Sequence, residues 1–344
     1  MDSRILVAAV ALGLIPSVLT LAQQPPTSSP DSHRIYLDVV VAPKSGPPVA
    51  GLQKQDFTVL DNKASQPIAT FSALGGPQAP VEVVLLVDAV NSPYSTVSYE
   101  REQIDKFLKA DGGHLAHPVS LAVFTDTGTK IQQGPSSNGN EVSAALDQST
   151  IALREIHRDS QYEAIDRLQL GLKALHDLAT QEANRPGRKI IMWVSPGWPL
   201  LSGPEVTLDS KETQQIFSQI VDLSTLLRRG RITLYSINPL GAAAGVGRDT
   251  YYEEFLKGVS KSGQAQLGDL GLQVLAVQSG GLALTGDNDI SGLLARCMAD
   301  TKTYYELSFD APRAEHPDEY HQLLIQVAKP GLTARTRTGY YAQP

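Results

Sequence analysis

The stretch VEVVLLVDAVNS, Val81–Ser92, carries the strongest indication of fold in this chain. Apart from Glu82 no charge precedes Asp88, and valine and leucine dominate. A run of that kind fits a strand covered on both faces, as strands of parallel sheets are. In open α/β sheets, ligands bind beyond the carboxyl ends of strands, where the connections diverge to opposite faces. Asp88 ends such a strand and a small polar loop comes next, so function is sought there first.

Around this strand, the pattern from Val81 to about Asp300 alternates strand and helix. Val119–Phe124 and Lys130–Gln132 read as a hairpin around Asp126–Gly128, and Lys189–Val194 and Arg231–Ile237 as further apolar strands. Ile165, Leu168, Leu172 and Leu175 recur at helical spacing, as do Ile216, Ile220, Leu223 and Leu227, with Gly230 as a stop. Gln266–Ser279 and Asp287–Ala299 read as two more helices, with a short strand at Leu282–Leu284. This order predicts a doubly wound, mainly parallel sheet with helices on both faces over residues 80–300. Residues 34–75 are β-rich: Ile35–Val41 and Phe57–Leu60 are strands, the second ended by Asp61-Asn62. Strand character returns over residues 303–342, at Thr303–Phe309 and His321–Ala328. A lone hairpin on either side would be marginal, so the two β segments are expected to join in one small β-sandwich beside the α/β core.

The chain has 344 residues, 42% hydrophobic and 19% charged, which is ordinary for globular cores. Its net charge of −7 and the lack of a dense basic run argue against nucleic acid as a partner. Residues 1–22 read as a signal peptide: Arg4 supplies the charge, Ile5–Leu14 the apolar run and Thr20-Leu21-Ala22 the cleavage site. The other reading is an uncleaved anchor, although the run falls short of the roughly 20 residues that a spanning helix needs. Residues 23–33 are Pro-, Ser- and Gln-rich and read as a flexible linker. Cys297 is the only cysteine, which excludes an intrachain disulfide, and its apolar neighbours mark it as a core residue. The expectation is a secreted or periplasmic protein with no membrane insertion after signal cleavage.

No nucleophile elbow, phosphate loop ending in Lys-Ser/Thr or His-Glu-x-x-His run is present. His114 and His117 near Asp111 lack a defined ligand set, and Gly112, Gly113 and Pro118 suggest a solvated loop. Gly241–Gly247, GAAAGVG, has the wrong glycine spacing for phosphate and reads as a surface loop. Trp193 reads as core, and Trp198 as an exposed residue at the sheet's carboxyl edge.

Asp88–Ser92, in an α/β chain of this order, resembles a von Willebrand factor type A domain. The flanks are similar to one bacterial exported branch: Pro48–Leu52 with Asp56–Val59 and Asp61-Asn62 before the core, Lys329–Leu332 and Arg337–Ala342 after it. Together they resemble the VWFA-related acidobacterial domain family over about residues 34–342. That resemblance implies a binding theme and, in metal-binding members, Mg²⁺ or Mn²⁺ held by Asp-x-Ser-x-Ser, a Thr on a later loop and an Asp after the fourth strand. Hard cations want such oxygen ligands in near-octahedral order. Here Asp88 and Ser92 match, but Val90 stands at the first Ser, Asp159 at the Thr with Ser160 beside it, and Pro196 at the second Asp.

The resemblance therefore implies a non-enzymatic, adhesion-like module with a degenerate metal site, which binds an unidentified protein partner through the top loops. Ser92, Pro93, Tyr94, Ser160, Ser195 and Trp198 are the expected partner contacts. Asp88, Ser92 and Asp159 are the candidate ligands of a weakly bound Mg²⁺ or Mn²⁺, with no cofactor as the other expectation. Two rival readings stand beside it: a functioning metal-dependent adhesion domain, and an exported hydrolase whose site the sequence does not announce.

Overall fold

The computed structural model describes residues 33–76, 79–149, 161–199, 207–244 and 250–344. In chain order, β1 (Arg34–Pro43), β2 (Phe57–Asp61), β3 (Ala64–Gln66) and β4 (Thr70–Gly75) come first. Next are β5 (Val81–Asp88), α1 (Tyr94–Leu108), β6 (His114–Thr125), β7 (Gly128–Asn138), α2 (Gly139–Gln148), α3 (Gln161–Ala183), β8 (Arg188–Val194), α4 (Ser210–Arg229) and β9 (Ile232–Ile237). α5 (Leu272–Gln278), β10 (Ala283–Leu284), α6 (Ile290–Ala299), β11 (Thr303–Asp310), β12 (Glu319–Val327), β13 (Leu332–Arg335) and β14 (Gly339–Ala342) complete the chain.

Six strands form the central sheet in the order β10-β9-β8-β5-β6-β7, all parallel except the edge pair β6–β7. The order reverses at β5, whose successor β6 lies on one side and β8 on the other. Asp88 thus ends the strand at the topological switch point, where such sheets open a crevice. Alternation along β5 explains why it reads as continuously apolar. Val84 and Leu86 pack with α3, α4 and α5, while Val83, Leu85 and Val87 pack with α1, α2 and α6.

The remaining strands make two four-stranded antiparallel sheets, β13-β1-β11-β4 and β14-β12-β2-β3. Ile35, Leu37, Val39 and Val41 of β1 share one core with Phe57 and Val59 of β2, Leu307 and Phe309 of β11, and Leu323 and Ile325 of β12. Both sheets draw strands from both ends of the chain. The opposite face of β1 and β11 is covered as well, because Val40 and Tyr304 pack into the α/β core.

Charge lines the join between these sheets and the α/β layer. The Arg188 guanidinium lies 4.7 Å from the centre of the Tyr304 ring and donates to the Asp300 carbonyl. Arg231 donates to Asp38 at 2.5 Å and pairs with Glu306 at 2.6 Å. Asp300 accepts from Tyr235 and pairs with Arg335. Gly230 ends α4 as expected, yet its φ is −74°; Arg231, with φ 53°, takes the left-handed turn. That conformation costs a non-glycine residue about 1–2 kcal/mol. The two carboxylates gripping the Arg231 guanidinium hold it there.

Several sequence expectations need correction. His114 and His117 lie on β6 rather than in a loop, and His117 is buried. Gln266–Ser279 is not one helix. A single tight turn at Leu267–Leu270 ends at the extended Gly271, and only then does α5 begin. Lys130–Gln132 belongs to the first half of an eleven-residue strand, Gly128–Asn138. Gly241–Ala244 forms one turn, and the rest of the GAAAGVG run lies outside the described residues, as do residues 1–32, Asp159 and Ser160. Cys297 and Trp193 are buried as expected. Among the described residues no helix is long and apolar enough to cross a membrane.

Candidate functional site

β5 delivers the Asp88 carboxylate to the carboxyl edge of the sheet, where it is 1% exposed. Its Oδ1 accepts from the backbone N–H groups of Val90 and Asn91, each at 2.8 Å, which folds the loop back on the strand as an Asx turn. Its Oδ2 accepts from Asn91 Nδ2 at 2.9 Å and from Ser195 Oγ at 2.6 Å. Ser195 comes directly after β8, so that last bond ties together the two loops flanking the switch point. Gly197 N–H in turn donates to Ser195 Oγ at 3.0 Å. Burial raises the Asp88 carboxyl above its ordinary value, and these hydrogen bonds pull part of the way back.

An ionised carboxylate offers about four acceptor directions. At Asp88 four donors take them, and Val90 and Pro196 supply no side-chain oxygen. Of the candidate ligands, Asp88 therefore keeps no acceptor direction open for a cation in this arrangement, while Asp159 lies outside the described residues. Among the described residues no group of three or more His, Cys, Asp or Glu side chains is arranged to hold a metal ion.

Beneath the loop lies a second carboxyl that the sequence reading missed. Glu100, on the first turns of α1, is 2% exposed and faces the Ser92 hydroxyl. Neither of its oxygens gains a well-aligned hydrogen bond. Burial first, then the nearby charge of Asp88, raises the Glu100 carboxyl well above its ordinary value, against the pull of Ser92. Tyr94–Gln103 carries two acids, Glu100 and Glu102, and helical spacing from the loop carries the first of them inward. A carboxyl whose folded pKa is raised favours the fold below its unfolded value. That contribution fades as pH climbs from 4.5 toward the folded value. Glu100→Gln keeps a partner for Ser92 and removes the charge. Its expected effect is a rise in Tm of about 2 °C at neutral pH and a flatter pH dependence of stability across that window, read by thermal unfolding at a series of pH values.

The expected partner contacts separate into two groups. Tyr94 is 82% exposed and Pro93 partly so, at the start of α1. Ser92 and Ser195 are fully buried, and Trp198, expected at the surface, is 4% exposed. Its ring meets Trp193 edge-on at 5.3 Å, and Trp193 meets Phe124 at 5.7 Å. α3 can lie over this stack because residue 171 is glycine, where a Cβ would come within 2.7 Å of Trp198 Nε1. Tyr99, one turn beyond Tyr94, is partly exposed and donates to the Asn288 carbonyl at 2.7 Å. Asn288 also accepts from Ala242 N–H, so α1 and two loops at this edge are tied together.

No family model and no curated protein matches the chain. Solved structures do. An aerotolerance-related membrane protein from Bacteroides fragilis is similar at 16% identity and TM-score 0.36, over 64% of this chain and 99% of that one. Proximal thread matrix protein 1 from the mussel byssus is similar at 12% identity and TM-score 0.37, over 68% and 49%. The SpRpn10 VWA domain is similar at 11% identity and TM-score 0.29, over 64% and 96%. These are coarse likenesses of fold and carry no assignment of function.

Proposed function

We propose that this chain is an exported, non-enzymatic protein-binding module of the von Willebrand factor A type. In this reading a protein partner docks on the loops at the carboxyl edge of the six-stranded sheet, with no metal ion bridging the two. What supports it is the bonding of Asp88, whose carboxylate is spent on fastening the loops after β5 and β8. An acid used that way fixes a surface and does not reach out to a cation. The fastened loops present Pro93, Tyr94 and Tyr99, and tyrosine brings large contact area at low entropic cost. The degenerate pattern at Val90 and Pro196 agrees with binding that needs no metal.

The test is affinity capture of partners from extracts of the source cells, with and without chelator. Capture is expected to persist in EDTA and to fall at least tenfold, about 1.4 kcal/mol, in Tyr94→Ala. Because Tyr94 is exposed, its removal is expected to leave stability within about 0.5 kcal/mol. Capture that disappears in EDTA and returns with Mg²⁺ would overturn the metal-free reading in favour of the adhesion domain. Calorimetric titration of Mg²⁺ or Mn²⁺ into the stripped protein is expected to give no saturable heat.

A further inference from the structure

A cavity of 640 Å³ opens between the α/β layer and the antiparallel sheets. Leu282, directly before the parallel strand β10, and Ala299, the last residue of α6, both line it. Its place is therefore the amino edge of the six-stranded sheet, the end opposite Asp88. The facing wall is the end of β1 and the turn after it, where Pro43, Pro47 and Pro48 bring rigid apolar rings and no N–H donors. A volume of this size suits a small organic molecule, and sites for such molecules combine apolar walls with a few polar groups.

The charges lining the cavity are unequal. Among the described residues that line it, Asp300 is the only acid, and it is already engaged. Tyr235 donates to it at 2.5 Å, and Arg335, also in the lining, pairs with it. Lys44 and Arg296 line the same cavity and are exposed, and neither makes a hydrogen bond or ion pair with the described residues. Two unpaired cations around one cavity are a clear local excess in a chain of net charge −7. Charge complementarity therefore selects an anion, and a guanidinium fork matches the two oxygens of a carboxylate. We propose that this cavity binds a small amphipathic organic anion of the carboxylate class. Lys44 and Arg296 hold its head group, and its hydrocarbon body lies against Pro43, Pro47 and Leu282. The site is separate from the loops at the carboxyl edge and does not depend on the partner binding proposed for them.

The probe is octanoate, titrated calorimetrically into the full chain at constant ionic strength. Saturable binding is expected, half complete at or below about 1 mM. Acetate, which has the charge without the body, and octanol, which has the body without the charge, are each expected to bind at least tenfold more weakly. Lys44→Gln together with Arg296→Gln is expected to weaken octanoate at least tenfold. Both residues are exposed, so the double variant is expected to keep its Tm within about 2 °C of wild type. Arg229→Gln removes a cation beside a different cavity, of 590 Å³, and is expected to leave octanoate binding unchanged. No saturable heat below about 10 mM octanoate overturns the proposal. So does binding that survives the double substitution, or octanol that binds as tightly as octanoate.

Discussion

Asp88→Ala is expected to lower the free energy of unfolding by about 3–5 kcal/mol. The substitution strands four donors at once: two backbone N–H groups, the Asn91 amide and the Ser195 hydroxyl. Each buried donor left without an acceptor costs about 1–3 kcal/mol, and partial access of water to the loosened loop keeps the sum below four full penalties. Asp88→Asn retains an acceptor for the Val90 and Asn91 N–H groups, so its expected cost is smaller, about 1–2 kcal/mol. Urea unfolding of both variants reads the difference. Near-identical midpoints for wild type and Asp88→Ala would show that the loops do not depend on this carboxylate, and its role as their fastener would fall.

Trp198→Ala has an expected cost of about 3–5 kcal/mol, the range for emptying a buried aromatic position. The ring is packed between Trp193 and α3, and Gly171 leaves no side chain on the helix to fill the space. Partner binding is expected to fall only as the folded fraction falls. Trp198→Phe retains ring contact with Trp193 and is expected to recover more than half of the loss. Full stability in Trp198→Ala together with lost binding would return this residue to the surface role that its sequence context suggests.

The contrast between those two residues marks what a sequence can carry. Asp88 was legible because a both-sides-buried strand has a distinctive run of valine and leucine, and because topology constrains the segment after such a strand in a parallel sheet. The helices through Leu168–Leu175 and Ile216–Leu227 were legible by spacing, and the capping box of Asp209 with Glu212 fits the start of the second. Trp198 was misread because its burial depends on a glycine 27 positions earlier, on a helix that crosses it. Nothing local to Ser195–Pro199 announces that neighbour. Glu100 went unnoticed for a similar reason, since the depth of one acid on a largely polar helix is set by the loop it folds under. His117 was placed in a loop because Gly112, Gly113 and Pro118 are strong local punctuation. The pairing of β6 with β7, which begins with His114 opposite Asn138, outweighs it. Arg231 belongs to the join between layers, and its partners Asp38 and Glu306 come from segments far away in the chain.

The pairing of the chain's two ends has a consequence for how the molecule is made. Arg34 of β1 lies opposite Asp310, and Val40 opposite Arg335, so the first strand to leave the ribosome waits for some of the last. β2 waits likewise for β12, with Val59 opposite Ile325. The α/β layer can assemble in order meanwhile, since β5, α1 and β6 are consecutive. Until the final residues arrive, β1 and β2 are open edges rich in valine and isoleucine, the kind of segment that pairs with the wrong chain. Long-range closure of this sort is slow. A shortened chain that lacks the residues beyond Ala299 would therefore leave nascent edges permanently unpaired, and aggregation, more than loss of any one contact, is its expected fate.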